Sequence, residues 1–296
     1  MVNFNYLVRF EDQEGHIHYG EASPQDAQSD LVGRSLKVYK GGALWDDNFL
    51  LSETVATVSR VLSPIASTPI IHGVGLNYKA HAEEGNLKLP PFPILFVKYP
   101  DTLAGPFEDI PIDKEAWQLD YEGELAVVIG KKCKSLSPSE NPLDYILGYT
   151  IGNDVSSRYW QDKTRSSGQH GYAKSFDKFS PLGPVLVSTQ AIPDPSKLKI
   201  ITHVNGELRQ ESGTDSMIFD VASIIRHLSR GITLQPGTVI LTGTPDGVAA
   251  FRTPSPWLQN GDVVEIEITG IGKIRNKMVF EDENYAPASP MRAPGF

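Results

Sequence analysis

Three acidic residues spaced by two, Asp120, Glu122 and Glu124, open an otherwise apolar run, Leu119-Asp120-Tyr121-Glu122-Gly123-Glu124-Leu125-Ala126-Val127-Val128-Ile129-Gly130. A strand places i, i+2 and i+4 on one face, so the three carboxylates are expected to project together. The apolar remainder reads as a strand buried on both faces. Like charges crowded at the mouth of such a strand raise one another's pKa, and a bound divalent cation removes that cost. A second apolar stretch, residues 145–151, runs into Gly152-Asn153-Asp154 and brings a further carboxylate to a strand end. Oxygen donors without thiolates suit a hard cation, Mg2+ first and Mn2+ or Ca2+ behind it. A solvated strand edge would carry the same acids, and spacing alone leaves both readings open.

A second segment, Ile240-Leu241-Thr242-Gly243-Thr244-Pro245-Asp246-Gly247-Val248, runs from a strand into a glycine-punctuated loop. Its backbone N–H groups and Thr244 hydroxyl could hold a carboxylate, and an ordinary tight turn would look the same. Gly73-Val74-Gly75 lacks the third glycine of a dinucleotide fingerprint, and no P-loop, Gly-x-Ser-x-Gly elbow or His-Glu-x-x-His is present. The single cysteine, Cys133, excludes an intramolecular disulfide and a thiolate metal cluster, and reads as a buried small residue.

The elements that must position these residues are mostly strands. Residues 94–97, 124–129, 145–151, 185–187, 198–204, 239–241, 263–268 and 274–280 all have strand character. Asn205-Gly206 marks a two-residue hairpin turn. Val221, Ile224, Ile225 and Leu228 form one helix stripe, capped by Asp220 and stopped at Gly231. Residues 79–93 read as a short helix that breaks at Pro90-Pro91. Residues 4–22 read as a hairpin, and 53–62 as a short helix with Val55, Val58 and Leu62 on one face, stopped before Pro64. With few helices between strands, a mixed α+β, mainly β architecture with much antiparallel pairing is expected. The division falls into a small N-terminal domain over 1–64, a large strand-rich domain over 65–283 that carries the acidic cluster, and a Pro- and Ala-rich C-terminal extension over 284–296.

The 296 residues carry 40% hydrophobic and 21% charged side chains, the balance of a globular chain. A formal net charge of -9, with no long basic run, argues against nucleic acid as partner. No apolar stretch approaches the ~20 residues needed to cross a bilayer, so no membrane partner is expected. Met1-Val2-Asn3-Phe4 begins no basic-then-apolar leader, and Glu11, Asp12 and Glu14 follow soon after. The cytoplasm is the expected compartment.

Several segments resemble, in order, the motifs of the fumarylacetoacetate hydrolase family. Gly75-Leu76-Asn77-Tyr78 followed by His81-Ala82-Glu83-Glu84 is similar to that domain's opening. The 119–130 segment is similar to its metal strand, and 148–158, Lys174-Ser175-Phe176-Asp177 with Pro181-Leu182-Gly183-Pro184, Val204-Asn205-Gly206 and 241–247 follow. The match spans roughly residues 70–280. The resemblance implies a fumarylacetoacetate hydrolase-type β-roll, a homodimer, and Mg2+ held by Glu122, Glu124 and Asp154. It further implies a His81–Glu84 pair on a mobile lid working with Lys174, and substrate contacts from Arg158, Gln161 and Thr244. His16, His18, His72, His170, His203 and His227 read as structural or solvated.

The implied partner is a small-molecule 2-oxo acid. The leading expectation is a metal-dependent C–C bond hydrolase or decarboxylase on an acylpyruvate- or oxaloacetate-like substrate. The alternative is a 2-oxo acid isomerase or hydratase, or a specialised biosynthetic member of the family. A non-catalytic binding protein would be signalled by loss of one of the three carboxylates, and all are present. Two departures touch the substrate path: Arg158-Tyr159-Trp160-Gln161 where the family commonly has Arg-Asp-x-Gln, and Lys98-Tyr99-Pro100 where Lys-Pro is common.

Overall fold

The chain is described by a computed structural model covering residues 3–281. The expected C-terminal extension, 284–296, lies outside the described residues. Two large sheets carry the fold, and helices are short, giving the mixed, mainly β architecture expected from the sequence.

The larger sheet, twelve-stranded among the described residues, has the metal-strand candidate Gly123–Ile129 near its middle, paired antiparallel to Ile146–Asn153 and to Val239–Leu241. Both Gly123–Ile129 and Ile146–Asn153 are buried at every residue, which is why their sequences do not alternate and are apolar apart from Glu124, Thr150 and Asn153. Val239–Leu241 pairs parallel to Ile71–Gly75, which pairs antiparallel to Ile94–Lys98 at the sheet's end. On the other side Ser180–Val187 joins Ile146–Asn153 to Tyr6–Glu11, so the N-terminal hairpin with Ile17–Glu21 continues the same sheet.

The second sheet, five-stranded among the described residues, contains Lys199–Val204, Glu207–Gly213, Val263–Ile268 and Gly272–Phe280. Val263–Ile268 buries alternate residues, as its Val-Glu-Ile-Glu-Ile pattern requires. Asn205 and Gly206 both take positive φ in the turn between two of its strands, as the dipeptide predicts. The Val221–Leu228 helix buries its apolar stripe, and Asp220 accepts from the Ser223 N–H. The helix ends at Leu228, two residues before Arg230, and Gly231 takes positive φ beyond it.

One expected helix is absent. Residues 53–62 form the strand Leu50–Thr57 and the short strand Arg60–Val61 instead. Leu50–Thr57 pairs with Ser35–Lys40, Lys37 facing Val55, and β-branched Thr54, Val55 and Thr57 suit that edge better than a helix. No helix among the described residues is long and apolar enough to cross a membrane.

Candidate active site

Glu122, Glu124 and Asp154 come together because Gly123 pairs with Asn153 and Glu124 with Gly152 across two buried strands. The Asp154 N–H donates to Glu122 O at 2.9 Å just past the ladder. The three side chains are buried, and one carboxylate oxygen of each lies within 4.8 Å of the others. Asp120 does not join them. The chain leaves strand geometry between Leu119–Asp120 and Gly123–Ile129, which breaks the alternation on which the expectation rested. Asp120 instead receives Arg158 Nε at 2.8 Å and the backbone N–H groups of Ala249 and Ala250 at 2.8 and 3.0 Å.

Three cations balance this cluster. Lys174 Nζ donates to Glu122 Oε2 at 2.8 Å, Asp154 Oδ2 at 2.5 Å and Ser156 Oγ at 2.8 Å. Lys98 Nζ reaches Asp154 Oδ1 at 2.5 Å and the Phe179 carbonyl at 2.6 Å. Arg158 bridges Asp120 and Glu122, its Nη2 2.5 Å from Glu122 Oε1. Burial pushes the Glu122 carboxyl up, but the charges of Lys174 and Arg158 outweigh it and hold it down at about 2. Burial depresses Lys98, whereas for Lys174 the carboxylates of Asp154 and Glu122 outweigh burial and raise its pKa.

Glu124 differs from its neighbours. Among the described residues no lysine or arginine pairs with it, and its recorded partner is the Gly243 N–H, 2.6 Å from Oε2. Burial first, and then the charges of Asp154 and Glu122, push its carboxyl well above the ordinary range. A buried acid without a counter-cation, its oxygen facing two further carboxylates, fits a hard divalent ion. Metal binding is therefore consistent with the donor set.

Above the carboxylates opens a cavity of about 780 Å3 lined by Glu122, Lys174, Arg158, Gln161, Thr244 and His81. Glu84 stands behind His81, with Oε2 3.3 Å from Nδ1. Both Glu84 oxygens also accept from the Gly247 N–H at 3.1 Å. His81 lies on the short helix Lys79–Glu84, buried against the ring of Phe251. Arg158 Nη1 donates to Gln161 Oε1 at 2.6 Å. Apart from Asp120, every residue expected at the site from the sequence therefore lies on this cavity's wall, beneath it at the carboxylates, or directly behind His81.

Three contributors were not singled out for a role at the site. Lys98, which in the sequence stands out only as a departure from the family pattern, is fully buried on Asp154. Gln210, buried on Glu207–Gly213, donates to Thr244 Oγ1 at 2.7 Å and the Pro245 carbonyl at 2.9 Å, and accepts from the Gly123 N–H at 3.0 Å. It thus ties the residue between the two glutamates to the 243–247 loop. His170, expected to be structural or solvated, lines the cavity.

The family described as fumarylacetoacetate (FAA) hydrolase C-terminal matches residues 70–279 of this chain. The protein named as the mitochondrial oxaloacetate tautomerase Fahd2a of Rattus norvegicus is 43% identical over 218 residues, 74% of this chain and 69% of its own length. A solved 2-hydroxyhepta-2,4-diene-1,7-dioate isomerase from Mycobacterium marinum is 33% identical, with a TM-score of 0.77, covering 94% of this chain and 99% of that one. A solved fumarylacetoacetate hydrolase from Exiguobacterium antarcticum is 37% identical, with a TM-score of 0.72, covering 94% of this chain and all of that one.

Proposed function

Since the chain belongs to the fumarylacetoacetate hydrolase family, we propose that it is an enzyme that moves a proton on a small 2-oxo acid, interconverting keto and enol forms. This reverses the order of the two enzyme readings drawn from the sequence: isomerisation leads, and C–C hydrolysis or decarboxylation follows. The observation that carries it is the His81–Glu84 pair opening onto the cavity that Glu122, Lys174 and Arg158 also line.

Glu84 beside Nδ1 favours the tautomer with the proton there, which leaves Nε2 of His81 to take a proton from carbon 3 of the keto form and, as imidazolium, to give it to the 2-oxo oxygen, the reverse path returning it to carbon. Arg158 and Lys174 stabilise negative charge as it develops on the 2-oxo oxygen, and Gln161 and Thr244 orient the neighbouring carboxylate. Each N–H of Lys174 already has an acceptor, so it must release a carboxylate or Ser156 before it donates to substrate. Glu122, Glu124 and Asp154 would hold the divalent cation, Mg2+ before Mn2+ or Ca2+. Bound there, the cation supplies Lewis-acid polarisation of the 2-oxo group.

The same His–Glu pair could instead take a proton from a water molecule, and this keeps the hydrolytic reading as the second one. Following enol decay of oxaloacetate by ultraviolet absorbance, with pyruvate release measured in parallel, separates the two. Faster enol decay without pyruvate supports proton transfer; pyruvate formed at the same rate replaces it with decarboxylation. The assembly proposed is a homodimer, and the N-terminal boundary proposed is residue 64. A monomer by light scattering would overturn the former.

A further inference from the structure

We propose that Asp12, His16 and His18 form a second metal site, which takes a borderline divalent cation of the Zn2+ class and clips the N-terminal hairpin. None of the three lines the cavity, and the site stands independently of the 2-oxo acid reading.

The three residues surround the turn of the hairpin, in Glu11-Asp12-Gln13-Glu14-Gly15-His16-Ile17-His18. Asp12 follows the strand Tyr6–Glu11, and His18 is second in Ile17–Glu21, opposite Phe10. His16 and His18 alternate about exposed Ile17, so both imidazoles fall on one face of the hairpin. Asp12 meets them across the turn. Its Oδ1 accepts from the backbone N–H groups of Glu14 and His16, each at 2.9 Å. These bonds fix the carboxylate and leave Oδ2 towards the two rings, 2.7 Å from His18 Nε2 and 3.6 Å from His16 Nδ1. The His18 ring is itself packed on Phe10, with centroids 5.5 Å apart. One donor atom from each of the three residues lies within 4.8 Å of the others.

The spacing at His16 separates a metal site from a hydrogen-bonded turn. Nδ1 stands 3.6 Å from Asp12 Oδ2 and 3.5 Å from Glu14 Oε2, beyond a good hydrogen bond to either. Two ligands of one tetrahedral Zn2+, each bonded at about 2.0–2.1 Å, lie about 3.3–3.5 Å apart. The ring therefore sits near ligand–ligand spacing from two carboxylate oxygens, and Glu14 is placed to be a fourth donor. At His18 the proton that Nε2 donates to Asp12 is what the ion displaces. Among the described residues no lysine or arginine pairs with Asp12 or Glu14, whereas neighbouring Glu11 is paired with Arg60. The donor set also differs in kind from the buried cluster. Glu122, Glu124 and Asp154 offer oxygen alone, but two imidazoles with a carboxylate favour Zn2+, Ni2+ or Cu2+ over Mg2+. An ion held here would tie the end of Tyr6–Glu11, the strand beside Ser180–Val187, to Ile17–Glu21.

The test uses the full-length chain with Mg2+ in excess and calorimetric titration with Zn2+. Four proteins are compared: wild type, His16→Ala, His18→Phe, which keeps a ring on Phe10, and Glu124→Gln, which alters the buried cluster. Wild type and Glu124→Gln are expected to share a Zn2+ site of the same affinity, weakened at least tenfold in His16→Ala and in His18→Phe. His16 is exposed, so His16→Ala keeps the fold even if His18→Phe does not. Electron paramagnetic resonance of the Cu2+ complex gives a second readout, because an oxygen-only cluster supplies no nitrogen couplings. Couplings from two imidazoles are expected in wild type and from fewer in either histidine variant. A Cu2+ spectrum without nitrogen couplings, or Zn2+ affinity that survives His16→Ala, overturns the site. Loss of Zn2+ binding in Glu124→Gln alone assigns the ion to the buried carboxylates and overturns it equally.

Discussion

Lys174 Nζ lies 2.5 Å from Asp154 Oδ2, and the same ammonium spans to Glu122 Oε2 at 2.8 Å, so one lysine joins two of the three residues assigned to the cation. All of these groups are buried. Removing one partner of a buried pair strands the other and costs roughly 3–5 kcal/mol.

Lys174→Met should accordingly melt about 5–10 °C below wild type when no divalent ion is present. Saturating Mg2+ should return more of that loss to the variant than it adds to wild type, because the ion replaces the missing positive charge. Turnover should stay low, down by ~10²–10³, since the developing oxyanion has lost a charged donor. Scanning calorimetry with and without Mg2+ checks the first claim. A cation-free variant melting within a degree or two of wild type would show that Lys174 is not needed to balance the carboxylates.

The 243–250 segment organises the site through its backbone. Gly243 N–H serves Glu124, Gly247 N–H serves Glu84, and the N–H groups of Ala249 and Ala250 serve Asp120. Gly247 has φ +97, and a Cβ there would meet the Arg209 carbonyl at 2.0 Å. Gly247→Ala should therefore displace the loop, release Glu84, and leave His81 without its orienting carboxylate. We expect a loss of about 1–3 kcal/mol in stability and a tenfold or larger fall in kcat, with Mg2+ affinity retained. Urea unfolding and steady-state kinetics measure both; unchanged kcat would mean that the loop does not position Glu84.

How far this site could be read from sequence follows from how far apart its parts lie in the chain. Glu122, Glu124 and Asp154 sit on or just beyond adjacent strands with apolar flanks, and local alternation and strand ends pointed to them. Lys98, Gln210 and the 243–250 N–H groups reach the site by sheet order alone. Val239–Leu241 inserts between Gly123–Ile129 and Ile71–Gly75, and Gln210 arrives from the other sheet. Nothing in the residues around Gln210 announces a partner 87 positions away. At 53–62 the helical spacing of Val55, Val58 and Leu62 was real, but pairing with Ser35–Lys40 outweighed it. Asp120 falls outside the cluster for a related reason: alternation cannot foresee the break in the strand after it.

His72, on Ile71–Gly75, is buried, and burial lowers its pKa from the ordinary 6.5. As pH falls, the unfolded chain takes up this proton before the folded one does. Stability from neutral His72 is thus present above 6.5 and lost as pH falls through that value toward the folded pKa, at no more than about 1.4 kcal/mol per pH unit. Urea midpoints at pH 7.5 and 5.5 should drop for wild type and drop less for His72→Gln. An equal drop in both would assign the acid sensitivity elsewhere, His170 being the other histidine depressed by burial.

Glu124 supports a prediction in which two measurements move in opposite directions. It is buried, faces two other carboxylates, and among the described residues accepts only from the Gly243 N–H, at 2.6 Å. In Glu124→Gln the amide oxygen can keep that hydrogen bond, and the cost of either ionising the buried carboxyl or forcing it to hold a proton disappears. The cation-free variant should therefore be as stable as wild type or more so, because a carboxyl whose pKa is raised by folding costs stability at neutral pH whichever protonation state it adopts. The same change removes one anionic oxygen ligand, so calorimetric titration should show Mg2+ affinity reduced by an order of magnitude or more. A surface-like, structurally neutral Glu124 would change neither quantity. A structurally necessary one would lower the cation-free melting temperature. Only a residue held in place for a cation gives unchanged or raised stability together with weakened Mg2+ binding, and wild-type affinity in the variant would remove Glu124 from the ligand set.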